Sequence, residues 1–322
     1  MTVTDANLPW TSPEWRERND SVWQRTLRLQ QSWWRQARTG MAAGPSTGGT
    51  RLVSSMLPVG TEWSPNLMTP AAVDAARRAR LDLETEQRPG IIQIDRLHRN
   101  LLSSQPLCFN LFGHLSAEPS TLLEWVRTFH HDAESVDGVR LEWAPLTGNT
   151  GGSAFDAFVT YTRNGGARGI LGIECKYAEN LTKAQPRPAP EKFKVETVNG
   201  PWRDGAETRL DRPSLRQFWY NQLLTQRVAA GDFTSGIGVV VACHDDNPAR
   251  RAVEAVRTEL ADPSSLRFSS INDVIDAVPG HERWRRAFTE RYLTYDQIPA
   301  RLAQGNEPPG RRSAGPAHAH RS

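Results

Sequence analysis

Residues 153–177 read SAFDAFVTYTRNGGARGILGIECKY. Two alternating runs flank a turn. In residues 154–161, Phe155, Ala157, Val159 and Tyr161 alternate with Asp156 and Phe158. In residues 170–177, Leu171, Ile173, Cys175 and Tyr177 alternate with Glu174 and Lys176. A period of two marks a strand. Between the runs, Asn164-Gly165-Gly166 suits the positive φ angles of a tight hairpin turn. A hairpin centred on Gly165 sets Asp156 directly opposite Glu174 on one face, with Cβ atoms about 4.5–5.5 Å apart. Lys176 lies two residues further along that face, while Ile173 and Cys175 turn to the opposite, packed side. A slip of one residue would move the whole set.

Two carboxylates facing each other on adjacent strands repel unless positive charge lies between them. A divalent cation supplies it, and carboxylate oxygens suit Mg²⁺ or Mn²⁺. Such an ion polarises a phosphate and lowers the pKa of a bound water. A lysine beside it orients that water and offsets charge on the phosphate oxygens. Composition points to the same place. The sequence has 39 Lys+Arg, of which only Lys176, Lys183, Lys192 and Lys194 are lysine. Arg and Lys exchange on a solvated surface but not where a compact amine is needed. The competing reading of Glu174 and Lys176 is a surface ion pair. Their place at a strand end, opposite Asp156 and beside Gly151-Gly152, favours the catalytic one.

Outward from the hairpin, Val139, Leu141 and Trp143 alternate with Arg140 and Glu142, which gives a third strand over residues 139–143. A connection centred near Asn149 places Glu142 opposite Asp156 and extends the acidic row. Leu122, Leu123, Val126 and Phe129 recur at helical spacing, so residues 118–131 read as a helix. On the other side, residues 178–212 form a Pro-rich insertion. A helix follows from Asp211-Arg212-Pro213 to Gly231, then a continuous apolar strand over residues 237–243. Further helices are expected from Asn247 to about Leu260, over 271–277 and over 281–293. The central order is α-β-β-β-α-β-α, an α/β fold with a mixed sheet. Ser12-Pro13-Glu14 opens an N-terminal helix running to about Arg38, and Thr69-Pro70 opens a second to about Glu86. Residues 40–65 read as a loop. The expected organisation is an N-terminal helical extension over 1–95 packed on a domain at 96–295, with a disordered tail at 296–322.

The balance of 39 basic and 36 acidic residues gives +3, which excludes nucleic-acid binding by bulk charge but not by a local groove. No apolar run is long enough to span a bilayer, and residues 1–10 lack the pattern of a signal peptide. Cys108, Cys175 and Cys243 have no CxxC spacing, which argues for a reducing, cytoplasmic setting.

Asp156 followed by Glu174-x-Lys176 at the end of the next strand, with a helix before and a helix and strand after, resembles the PD-(D/E)XK nuclease superfamily. The runs NLLSSQPLCFNLFG (100–113), SAFDAFVTY (153–161) and GIECKYAE (172–179) are similar to a poorly characterised bacterial branch of restriction-endonuclease-like proteins. The resemblance implies the restriction-endonuclease-like α-β-β-β-α-β core and Mg²⁺-dependent cleavage of nucleic acid. By it, Asp156 and Glu174 bind the metal and Lys176 completes the site. Phe155 stands where the superfamily's Pro is expected. The superfamily often adds a first-helix Glu, for which Glu124 and then Glu118 are candidates, with Glu142 as rival. It also adds a polar residue from the helix after the third strand, here Gln217. Asn221 stands where exonuclease-type members carry Tyr. Lys183, Lys192, Lys194, Arg212 and Arg216 are candidate backbone contacts to nucleic acid. The function expected is a Mg²⁺-dependent DNA endonuclease, with Mn²⁺ as substitute and a homodimer as the expected form of a double-strand cutter. The alternative is a catalytically silent nucleic-acid-binding protein of the same fold. A retaining glycosidase pair is disfavoured by Lys176 and by the strand pattern.

Overall fold

A computed structural model describes residues 17–63, 65–86, 92–145, 153–181 and 187–298. The hairpin sits at the middle of a five-stranded sheet ordered β3-β4-β5-β6-β7. These strands are β3 (Ala133–Trp143), β4 (Phe155–Arg163), β5 (Arg168–Cys175), β6 (Ser235–Ala242) and β7 (Leu266–Ser270). β3, β4 and β5 run antiparallel, and β6 and β7 join in parallel. The β4–β5 register runs from Ala157↔Ile173 to Thr162↔Arg168, centred on Gly165. Gly165 and Gly166 both take φ +80°, the conformation that the turn demands of glycine. A separate hairpin of β1 (Gly44–Pro45) and β2 (Leu52–Val53) lies within the expected N-terminal loop.

Helices cover both faces. On one face pack α1 (Val22–Trp34), α2 (Pro70–Glu86), α3 (Ile94–Arg99), α4 (Ser104–Cys108), α5 (Leu123–Arg127), α10 (Ile271–Ala277) and α11 (Glu282–Tyr292). Their core contains Leu27, Leu97, Phe112, Trp125, Val274 and Phe288 against Ala157, Val159, Ile173, Cys175 and Val241. The N-terminal helices therefore share one core with the sheet. The other face carries α6 (Glu191–Val198), α7 (Ala206–Leu210), α8 (Arg216–Ala229) and α9 (Asn247–Arg257). A Cβ on Gly172 would meet Phe155 at 2.4 Å and Thr225 at 2.5 Å, and one on Gly238 would meet Gln222 at 2.3 Å. These two glycines let α8 lie close against β5 and β6.

Several expectations need correction. The described part of the first helix starts at Val22, where Ser21 and Gln24 form a capping box; the expected start at Ser12 lies outside the described residues. In place of one helix over 118–131 there is a 3₁₀ turn, Pro119–Leu122, and the short α5. The Pro-rich insertion contains α6 and α7, anchored by buried Phe193, Trp202 and Leu210. β7 was not expected, since LRFSS is short and only weakly alternating. The expected tail lies outside the described residues from 299 onward. No helix among the described residues is long and apolar enough to cross a membrane.

A buried knot ties α1 and α11, near the two ends of the described residues, to the site. Arg291 is fully buried and has no carboxylate partner among its hydrogen bonds. It donates to Gln31 Oε1 at 3.2 Å, Asn66 O at 2.8 Å and Asn66 Oδ1, and lies 4.1 Å over the Trp34 ring. Gln31 in turn donates to the Tyr177 hydroxyl at 2.8 Å, immediately after Lys176.

Candidate active site

Continuing the β4–β5 register past Ala157↔Ile173 sets Asp156 against Glu174. On the other side, Leu141↔Ala157 and Trp143↔Phe155 flank Glu142 and Asp156. Glu142, Asp156 and Glu174 thus form a row across three adjacent strands. Glu142 has φ +48°, a left-handed conformation that costs an ordinary residue roughly 1–3 kcal/mol and tends to persist at functional sites. It also breaks the alternation of β3. Leu141 remains in the inner core, but Trp143 crosses to stack 4.1 Å from Phe158. Phe155 joins them on the α8 face instead of lining up with Ala157, Val159 and Tyr161.

Glu174 and Lys176 are each 3% exposed, and the Lys176 ammonium donates to Glu174 Oε1. Such burial is far from a solvated ion pair. Gln217 donates to the same oxygen, and Asn221, one helical turn later on α8, donates to Oε2. Asp156 Oδ2 accepts from the Cys175 backbone N–H at 2.7 Å. Gln105 of α4 donates to Glu142 Oε1 at 2.6 Å. Glu179 accepts from the backbone N–H groups of Ser104 (2.9 Å) and Tyr177 (2.8 Å).

The charges of the row act on one another. Burial, then repulsion by Glu174 and Glu142, pushes the Asp156 carboxyl well above its usual range. Glu142 is pushed up to about 7, by burial first and also by Glu174, against the opposing hydrogen bond from Gln105. Burial works against the Lys176 ammonium, but attraction by Glu174, Glu179 and Asp156 outweighs it and raises its pKa. Lys176 is therefore a fixed cation here. Three carboxylates share one lysine. All the acidic donors are hard oxygens, and a divalent cation would relieve the repulsion between them. The residues fit such an ion. Among the described residues, no three His, Cys, Asp or Glu side chains already converge as a ligand cage.

The family model of the PD-(D/E)XK nuclease superfamily matches residues 18–294, most of the chain. The chain belongs to the PD-(D/E)XK nuclease superfamily. Comparison with curated proteins and with solved structures gave no match. The superfamily implies nuclease chemistry on a nucleic acid, and its nucleases generally use divalent metals. The mixed five-stranded sheet accords with the restriction-endonuclease-like fold of the superfamily.

Of the expected site residues, the structure gathers Asp156, Glu174, Lys176, Glu142 and Gln217. It does not gather the others. Glu124 is exposed and pairs with Arg127, and Glu118 pairs with His281 at 3.4 Å. The helix that faces the row is α4, which offers Gln105 instead. Arg216 is buried and bound to Asp211 at 2.6 Å, and Lys194 holds the same carboxylate at 3.0 Å. Both are thus committed to structure. Lys192 lies 5.2 Å over the Phe193 ring, Arg212 is exposed, and Lys183 falls outside the described residues. Asn221 and Gln105 were not among the expected site residues. Asn221's only sequence signal is its place one turn after Gln217.

The row has a testable pH signature. Glu142 titrates near 4.5 in the unfolded chain and at about 7 in the folded one, so folding favours its protonated form. That contribution is complete below about pH 4.5 and is lost as pH rises through 7. Glu142→Gln removes the charge and keeps the shape. It should leave stability nearly unchanged at acidic pH and raise it at pH 8 by on the order of 1–3 kcal/mol. Urea unfolding at both pH values measures this. A variant less stable than wild type at pH 8 contradicts the electrostatic account.

Proposed function

We propose that this protein is a metal-dependent endonuclease that hydrolyses DNA phosphodiester bonds. The observation that carries the reading is the row Glu142–Asp156–Glu174 across three strands, with the ammonium of Lys176 at its end. Asp156 and Glu174 would hold Mg²⁺, with Mn²⁺ as substitute. When bound, the ion supplies polarisation of the scissile phosphate and a more acidic water. Gln217 and Asn221 fix the rotamer of Glu174, and Gln105 fixes Glu142. Lys176, held charged, offsets the negative charge that builds on the phosphate oxygens. Glu142, with its carboxyl pushed up to about 7, can take up a proton as carboxylate or give one up as acid near neutral pH.

The reading extends to a cytoplasmic protein, since Cys108, Cys175 and Cys243 are all free thiols in buried positions. It extends also to a homodimer where both strands are cut. The full engagement of Glu174 by three donors favours one rival reading: a silent nuclease fold that only binds nucleic acid. Supercoiled, linear and single-stranded DNA and an RNA, incubated side by side with Mg²⁺ or Mn²⁺, decide between them. Nicking of the supercoiled circle is the expected result. Intact substrates, with no heat of metal binding in calorimetry, would establish the silent reading.

A further inference from the structure

Beside the acidic row lies a cleft of about 360 Å³. One wall comes from α1 and the β1–β2 hairpin, the other from the segment joining α3 to α4, and Ala178 and Glu179 line it where β5 ends. Two segments of chain link the cleft to the site. Ser103 lines it two residues before Gln105, which holds Glu142. Glu179 lines it three residues after Lys176, whose charge it attracts.

Its polarity suits a phosphodiester chain. Ser46, Thr47, Ser55 and Ser103 give hydroxyls. Arg28 is buried and tied to Asp20 at 2.6 Å, so it belongs to the wall. Arg51 sits at the rim, 57% exposed at its side chain, and pairs with Glu17, which it can exchange for a phosphate. Arg96 is exposed and, among the described residues, its guanidinium makes no hydrogen bond or ion pair. Its field reaches Glu142 nonetheless. The acid at the floor is not free to repel a phosphate fully, because both Glu179 oxygens accept from backbone N–H groups. Among the described residues no aromatic ring lines the cleft, so none of them stacks on a base there.

The size favours one strand over two. About 360 Å³ is at the low end of ordinary ligand pockets and takes roughly one nucleotide. A space of that size cannot enclose two paired strands at once. We propose that this cleft seats the sugar-phosphate of one nucleotide of an unpaired strand next to the scissile bond, with Arg96 and Arg51 on its phosphate. The inference rests on the nuclease reading and deepens it: the substrate is single-stranded or frayed at this position, and it is gripped here without regard to sequence.

The test is fluorescence anisotropy in EDTA, so that binding is read without cleavage. The probes are a short labelled single-stranded DNA and the same sequence as a duplex. Wild type should bind the single strand more tightly. Arg96→Ala should weaken that binding about tenfold and reduce the slope of log K against log salt by about 0.7, the value for one phosphate contact on a single strand. Arg96→Glu should weaken it further, and both variants should remain folded in thermal melts, because the side chain is exposed and gives up only its attraction to Glu142. Arg96→Glu binding like wild type, or equal affinity for duplex and single strand, overturns the proposal. The two readings fail separately. If wild type cuts DNA and Asp156→Asn does not, yet Arg96→Glu binds normally, only the cleft assignment is lost. If nothing is cut but the Arg96 variants bind weakly, the cleft stands and the nuclease reading falls.

Discussion

Asp156→Asn should abolish metal-dependent cleavage and at the same time raise the melting temperature at pH 8. The two effects have one origin. Asp156 is half-buried in a row where Glu142 and the buried Glu174 both oppose its charge. An asparagine keeps the acceptor for the Cys175 N–H and discards that charge. The fold thus loses a repulsion, while the site loses a proposed metal ligand. The loss of rate should exceed the roughly 10–100-fold that removing an outer-shell partner costs. Cleavage assays with Mg²⁺ and thermal melts in EDTA read the two halves independently. Residual cleavage at the wild-type rate, in a folded variant, would remove Asp156 from the reaction. Added Mg²⁺ should raise the melting temperature of wild type more than that of the variant, since only wild type has the full ligand set.

The opposite substitution has the opposite sign in stability. Lys176→Met should lose cleavage and also destabilise the protein by about 3–5 kcal/mol at pH 8, the cost of breaking a buried pair by removing one partner. Glu174 keeps the amides of Gln217 and Asn221, which moderates the loss. At pH 5, Glu142 is protonated and less charge is left uncompensated, so the penalty should shrink. The double variant Asp156→Asn, Lys176→Met should recover part of the stability, a coupling that a double-mutant cycle reads directly. A Lys176→Met protein as stable as wild type at pH 8 would mean that the ammonium is not what balances the row.

These effects follow from a register that was legible in the sequence. Two alternating runs about a Gly-Gly turn leave one pairing that keeps Ala157, Val159 and Ile173 together inside, and the same pairing brings Asp156 to Glu174. The position of Glu142 followed from the strand before by the same reasoning. What was not legible depends on contacts between distant elements. Gln105 and Asn221 are ordinary polar residues on helices until the helices dock. Glu124 looked suitable on the assumption that one long helix would face the sheet, but the helix that does so is α4. Trp143 and Phe155 broke the alternation because Glu142 adopts φ +48°, which no periodicity encodes. The insertion that reads as loop from its prolines holds two helices because Phe193, Trp202 and Leu210 find a tertiary core.

The knot at Arg291 bears on when the site can exist at all. A guanidinium near the end of the described chain meets Gln31 and Trp34 near its beginning, and Gln31 reaches the Tyr177 hydroxyl beside the active lysine. During synthesis the N-terminal portion emerges first, and α1 can meet Ser54 and Ser55 early, but its contact with Arg291 waits until α11 has emerged. A half-made chain carries the acidic row without its finished surroundings. Arg291 thus closes last a contact that reaches through Gln31 to Tyr177, the residue after Lys176.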